Sequence, residues 1–170
     1  LRAVSSGTSV AGAPVKIRFM SAGGRRWSVI RRALTSGTGS YVLALTARTS
    51  GRYDVQIPGT YTRRPARAQV NIRVRSAVSI RLSQTLIRSG QSVIAVVGVN
   101  PRIKGQRVLR QVFAGGRWIT AGSATTNAAG VSLFSFTPTA VNKTLRYRIL
   151  TTPARGFVSG SVYFRITVRP

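Results

Sequence analysis

The chain has 170 residues, of which 27 are Lys or Arg and only one is acidic, and it contains neither His nor Cys; its formal net charge is +26. Acid/base catalysis and metal binding draw on His, Cys and carboxylate side chains, and Asp54 is the only such residue. The composition therefore argues against an enzyme, a metal site and a bound cofactor. A hydrophobic content of 43% is too high for a disordered basic tail, so we expect folded domains with real cores.

Short runs of alternating apolar and polar residues recur along the chain. The clearest are residues 15–19, 70–74, 78–82 and 145–149. Alternation with a period of two predicts strands with one buried and one solvated face, and here Arg, Lys, Ser or Asn takes the solvated positions. Most Gly and Pro residues fall between these runs, where turns require them. We predict an all-β fold without membrane insertion, because no apolar run is long enough to span a bilayer.

The two halves of the sequence align with each other at a spacing of about 91 to 94 residues, which is the usual size of one β-sandwich. The matched pairs include Trp27 with Trp118, Thr35 with Thr126, Tyr53 with Tyr147, and Asp54 with Arg148. This repeat predicts two domains of one type, residues 1–75 and residues 76–170. We expect each Trp to cover a sheet face rather than to stack on a ligand.

The order of motifs within each copy resembles a known family. A G-x-x-V segment comes first, followed by a Gly-Gly turn leading to Trp, a Thr-rich segment ending in a Gly turn, and an Arg-Tyr pair. This order is similar to that of bacterial Ig-like repeats of the actinobacterial type, which occur in secreted and surface proteins. The resemblance implies two tandem Ig-like antiparallel β-sandwiches, an extracellular or cell-surface location and no catalytic residues. Similar modules occur on phage virions, so a virion origin stays open.

The first copy is shorter at its start than the second. Residues 1–4 align with residues 94–97, which lie inside the second strand of the second copy. We therefore expect the first sandwich to lack its opening strand. Either the chain is a piece of a longer array, or a neighbouring subunit lends the strand by donor-strand exchange, which would make the protein a filament or shell subunit.

The basic charge is spread along both halves, which indicates a diffuse Arg-rich surface rather than a pocket. Guanidinium groups pair bidentately with carboxylate and phosphate, so we expect an anionic envelope polymer or an acidic protein surface as partner. The candidate contact residues, chosen for clustering and expected exposure, are Arg25, Arg26, Arg31, Arg32, Arg63, Arg64 and Arg117.

Nucleic acid is expected to bind only non-specifically, since no recognition motif is visible and the aromatic residues are not expected to interleave with Arg on outward positions. Tyr41, Tyr61 and Phe157 are the loop or edge aromatics. Asp54 is expected to form a local ion pair. Together these features predict a structural and adhesive module of a surface or appendage protein.

Overall fold

The computed structural model describes residues 10–62 and 64–170, and within these ranges it contains twelve β-strands and no helix. The all-β prediction is confirmed. No segment of the described chain forms a helix long and apolar enough to cross a membrane. The chain divides into two compact units, the first ending at Val74 and the second beginning at Arg75.

The described part of the first unit forms one antiparallel sheet with the strand order β2-β1-β3-β4. Its strands are β1 (Pro14–Ser21), β2 (Ser28–Leu34), β3 (Gly51–Ile57) and β4 (Ala66–Ile72). Val15, Ile17 and Tyr53 are buried on one face of this sheet. The expected absence of an opening strand concerns residues 1–4, which lie outside the described residues.

The second unit is a β-sandwich of a three-stranded sheet, β10-β7-β5, and a five-stranded sheet, β6-β12-β11-β8-β9. All pairs are antiparallel except β6 with β12. Its strands are β5 (Ala77–Leu82), β6 (Leu86–Arg88), β7 (Val93–Asn100), β8 (Arg107–Ala114), β9 (Arg117–Thr125), β10 (Val131–Phe136), β11 (Lys143–Thr151) and β12 (Ser161–Arg169). One hydrophobic cluster joins the inner faces of both sheets, with Val97 and Phe134 from one sheet packed with Val108, Ile149 and Ile166 from the other.

The two units share details that an internal repeat requires. The order β2-β1-β3-β4 in the first unit matches β9-β8-β11-β12 in the second. The pairing of β1 with β2 shifts register between Ile17 and Arg18, and that of β8 with β9 shifts at the matching step between Arg110 and Gln111. A shared irregularity of this kind re-aims the side chains beside it in the same way in both sheets.

Two buried threonines make equivalent hydrogen bonds in the two units. The hydroxyl of Thr35 accepts a hydrogen bond from the backbone N–H of Ala13 at 2.9 Å, and that of Thr126 accepts one from the N–H of Gln106 at 3.0 Å. Both threonines are less than a tenth exposed. These residues satisfy buried backbone groups at the strand ends, which explains why the Thr recurs at this place in the repeat.

Candidate polyanion-binding surface

The Arg residues proposed from the sequence are exposed wherever the structure describes them, and Arg63 lies outside the described residues. Arg25 and Arg26 lie in the loop between β1 and β2, Arg31 and Arg32 in β2, Arg64 between β3 and β4, and Arg117 at the start of β9. Arg31 and Arg32 are consecutive in a strand, so their side chains leave opposite faces of the sheet. The structure therefore does not gather the six described residues into one patch.

Arg32 faces another cation across the sheet. It is the register partner of Lys16 on β1, so the two side chains share a face. Both line an open groove of about 440 Å³ between β1, β2 and Pro58. Like charges directly opposite each other on neighbouring strands repel, so this pair gains from any anion that lies between them.

The outer face of the first sheet holds the only carboxylate of the chain. The side chain of Asp54 on β3 is fully buried, and Arg18, its register partner on β1, donates to Oδ2 from Nε at 2.9 Å. Arg67 on β4 donates from Nε to Oδ1 at 2.6 Å, and Gln69 donates to the same oxygen at 3.2 Å. We call these four residues the Asp54 cluster. The expected ion pair of Asp54 is confirmed, with two Arg partners rather than one.

The charge state of Asp54 follows from these bonds. Burial by itself raises the pKa of the carboxyl group, but hydrogen bonds from Arg67, Arg18 and Gln69 outweigh it, and the pKa lies below its ordinary value. The carboxylate thus stays ionised and offsets one of its two Arg partners. The guanidinium of Arg18 also lies 5.0 Å from the ring centre of Trp27, which adds a cation–π contact.

The matching place in the five-stranded sheet of the second unit has a positive instead of a negative charge at its centre. Arg148 on β11 stands where Asp54 stands on β3, and its register partner on β8 is Gln111. Nε of Arg148 donates to Oε1 of Gln111 at 2.6 Å, and the guanidinium lies 4.7 Å from the ring centre of Trp118. Tyr163 on β12 is the other register neighbour of Arg148. No carboxylate side chain occurs anywhere in the second unit, so this guanidinium is balanced by none.

Aromatic rings and guanidinium groups alternate across this outer face. Trp118 on β9 and Tyr163 on β12 reach toward each other across β8 and β11, with ring centres 5.6 Å apart. Phe113 packs edge-on against Trp118 at 5.2 Å, and Arg146 lies 4.7 Å from the ring centre of Phe113. We define the Arg–aromatic face as Phe113, Trp118, Arg146, Arg148, Tyr163 and Arg165.

The expectation that aromatic residues would not interleave with Arg on outward positions is wrong for the second unit. The residues of β11 and β12 that point away from the core include Arg146, Arg148, Tyr163 and Arg165. The alternation of Arg146 and Arg148 with buried Tyr147 and Ile149 was visible in the sequence, so β11 could be given its outward positions. The sequence does not show which strands lie side by side. Rings from β8, β9 and β12 meet because the sheet places β11 between β8 and β12.

No protein-family model matches the chain, and no curated protein sequence matches it. Among solved structures, it is similar to a tetra-tandem repeat in the extending region of a large adhesion protein, at 15% identity and a TM-score of 0.39, over 94% of this chain and 43% of that one. It is also similar to Escherichia coli alpha-2-macroglobulin activated by porcine elastase, at 11% identity and a TM-score of 0.43, over 95% of this chain and 20% of that one. The chain thus spans less than half the length of either structure. Both scores are too low for either likeness to assign a function.

Proposed function

We propose that this chain is a non-enzymatic structural and adhesive module of an extracellular surface or appendage protein, whose Arg-rich surface holds an anionic polymer or an acidic neighbouring subunit. The observation that carries the proposal is the unbalanced charge. The one acidic side chain is paired within the Asp54 cluster, and the other exposed Arg residues of both units have no acidic side chain left to pair with.

The excess positive charge favours a partner that compensates it. Surfaces of soluble proteins usually mix both signs of charge, whereas a net charge of +26 on 170 residues repels copies of the same chain. A bound polyanion removes this repulsion and forms bidentate bonds with guanidinium groups. Wall-type anionic polymers and acidic protein surfaces both supply the required groups. An acidic capsid surface would serve equally, so a phage decoration or tail module is the alternative location.

A second candidate, self-association into a filament by donor-strand exchange, is supported by apolar exposure in the first unit. Leu34 on β2 is 65% exposed and Val42 is 70% exposed, while Val29, Ile30 and Leu45 are also exposed. Apolar side chains of this kind gain from cover by a strand of another copy. Light scattering with size-exclusion chromatography tests this candidate; a monomer at all concentrations, with and without polyanion, contradicts it.

The main proposal is tested with immobilised polygalacturonate, a carboxylated polymer, against neutral dextran at about 0.05 M and about 0.2 M salt. We expect retention on polygalacturonate that weakens steeply with salt, and none on dextran. Replacing Arg25, Arg26, Arg31 and Arg32 by Ala reduces binding if the surface is diffuse. Failure of the wild-type chain to bind polygalacturonate at low salt contradicts the proposal.

A further inference from the structure

Three Arg residues occupy neighbouring positions on the outer face of β11 and β12. Arg146 and Arg165 are register partners on these neighbouring strands, and Arg148 follows two residues after Arg146 on the same face. Arg146 and Arg165 are exposed, and like charges directly opposite each other in a sheet are destabilising. An anion between them relieves that repulsion. This arrangement favours a ligand that brings a negatively charged group to the centre of the face.

The protein itself holds two of these groups in place. Arg148 is fixed by its hydrogen bond to Gln111 and by its position over Trp118, and Arg146 by its position over Phe113. A guanidinium has five N–H donors, so these contacts leave donors of both residues free for a ligand. Because less side-chain freedom is lost when an anion binds, such pre-organised groups bind more tightly than free surface Arg.

Tyr163 supplies an open aromatic ring beside the charged groups. It is 61% exposed although it lies within strand β12. Polar contact with Arg148, and then with Ser161, holds the pKa of Tyr163 below its ordinary value. Its ring centre lies 5.6 Å from that of Trp118, and much of the ring stays open. A large exposed ring of this kind is suited to pack against the apolar face of a ligand.

The ring geometry favours sugars over nucleobases. Trp118 is tilted by 62° to Phe113 and by 56° to Tyr163, so neighbouring rings offer no set of parallel planes on which successive bases could stack. Guanidinium groups already lie over Phe113 and Trp118. One open ring flanked by Arg is sufficient to bind a pyranose. The sugar packs its C–H face on the ring and directs its acidic group toward the neighbouring guanidinium groups.

We propose that the Arg–aromatic face binds an acidic polysaccharide, with a sugar ring packed on Tyr163 and a carboxylate, sulfate or phosphate group of the glycan bridging Arg146 and Arg165. This inference rests on the proposed function and names the class of polymer and the place where it binds. The ring contact makes the site differ from the diffuse charge of the first unit, because it responds to sugar as well as to charge.

The first test compares Tyr163→Ala with Tyr61→Ala, since Tyr61 is a fully exposed tyrosine of the first unit. Binding is measured to polygalacturonate and to polyglutamate, which carries carboxylates but no sugar. We expect Tyr163→Ala to weaken polygalacturonate binding about fivefold and to leave polyglutamate binding unchanged. Tyr61→Ala is expected to change neither.

The second test removes the facing charges with Arg146→Ala and Arg165→Ala together. The matched control is Lys16→Ala with Arg32→Ala, which removes a like-charged facing pair of the first unit. We expect the first double variant to lose about tenfold or more in polygalacturonate affinity, well beyond the control, with no fall in melting temperature. Loss of stability in step with binding would make the pair structural and overturn the assignment.

The outcomes separate the inference from the proposed function. If the wild-type chain binds neither polymer, both fail. Should it bind both polymers while Tyr163→Ala has the same effect on each, the adhesive function stands and the glycan site is overturned. Tighter binding of oligothymidylate than of polygalacturonate, lost in Tyr163→Ala, would identify the face as a single-stranded nucleic-acid site instead.

Discussion

The outer faces of the two repeated sheets have one plan and opposite electrostatics. At the centre of the first sheet, Asp54 is fully buried and two Arg residues pair with it. At the matching place in the second sheet, Arg148 bonds to the amide of Gln111 and lies against Trp118. The first arrangement offsets one of its two Arg charges internally and uses donors of both Arg residues in doing so. The second holds its guanidinium groups in place without neutralising them, so one backbone plan supports an internal ion-pair cluster in one repeat and the proposed glycan-binding face in the other.

The largest expected effect comes from breaking the Asp54 cluster. Asp54→Asn leaves Arg18 and Arg67 facing each other without an anion, and we expect the first unit to lose about 3 kcal/mol of unfolding free energy. In a Trp118→Phe background, Trp27 is the only Trp and reports on this unit in urea unfolding. Asn71→Ala, on the same face of β4, is the control. A loss below about 1 kcal/mol would show that the cluster is not important for stability.

The next largest effect is expected when residues of the Asp54 cluster are introduced into the five-stranded sheet of the second unit. The triple variant Gln111→Arg, Arg148→Asp and Tyr163→Gln places counterparts of Arg18, Asp54 and Gln69 at the matching positions. We expect polygalacturonate affinity to fall about tenfold, with the unfolding free energy of the second unit within about 1 kcal/mol of wild type. Titration calorimetry and urea unfolding measure the two quantities. Unchanged affinity would place the binding surface elsewhere.

A smaller effect distinguishes the units by pH. Because the pKa of Asp54 is lowered on folding, its contribution to stability is present above the unfolded value, near 3.8, and is lost as the pH falls through the folded value. We expect acid to lower the melting temperature of the first unit, and this dependence to vanish in Asp54→Asn. Thermal unfolding between about pH 2 and 6 measures it. An equal fall in the second unit, which has no acidic side chain, would contradict this origin.

The smallest effect concerns the inner faces, where Arg110 stands at the position that Ile17 takes in the first sheet. Burial lowers the pKa of Arg110, the nearby Tyr147 partly offsets this, and the buried Nε has no hydrogen-bond partner in the described chain. Its guanidinium lies 4.1 Å from the ring centre of Phe136 and donates to the carbonyl of Ala121.

Since burial and the missing bond oppose these two contacts, we expect Arg110→Met to change the unfolding free energy by about 1 kcal/mol at most. Urea unfolding of the second unit measures it, with Ile17→Val in the first unit as a conventional core control. A loss above about 2 kcal/mol would assign Arg110 a supporting role in the core.

Much of the candidate site could be predicted at the level of single strands. The alternation in residues 145–149 placed Arg146 and Arg148 on the outward side of β11, and the repeat matched Arg148 to Asp54. The exposure expected for Arg25, Arg26 and Arg117 is also found. The sequence predicted an ion pair for Asp54 but not its second Arg partner. Arg67 and Arg18 lie on different strands, and the strand order brings both beside Asp54.

The sequence by itself determined the all-β fold, the repeat and the faces of the four clearest strands, because a period of two and the burial of apolar side chains act within a few residues. Only the tertiary structure decided which outward residues meet. Neighbours across a sheet are set by strand order and register, and these bring Phe113, Arg146 and Tyr163 together from three separate strands. The local pattern therefore shows where each Arg points, and the sheet decides whether it meets a carboxylate, a ring or solvent.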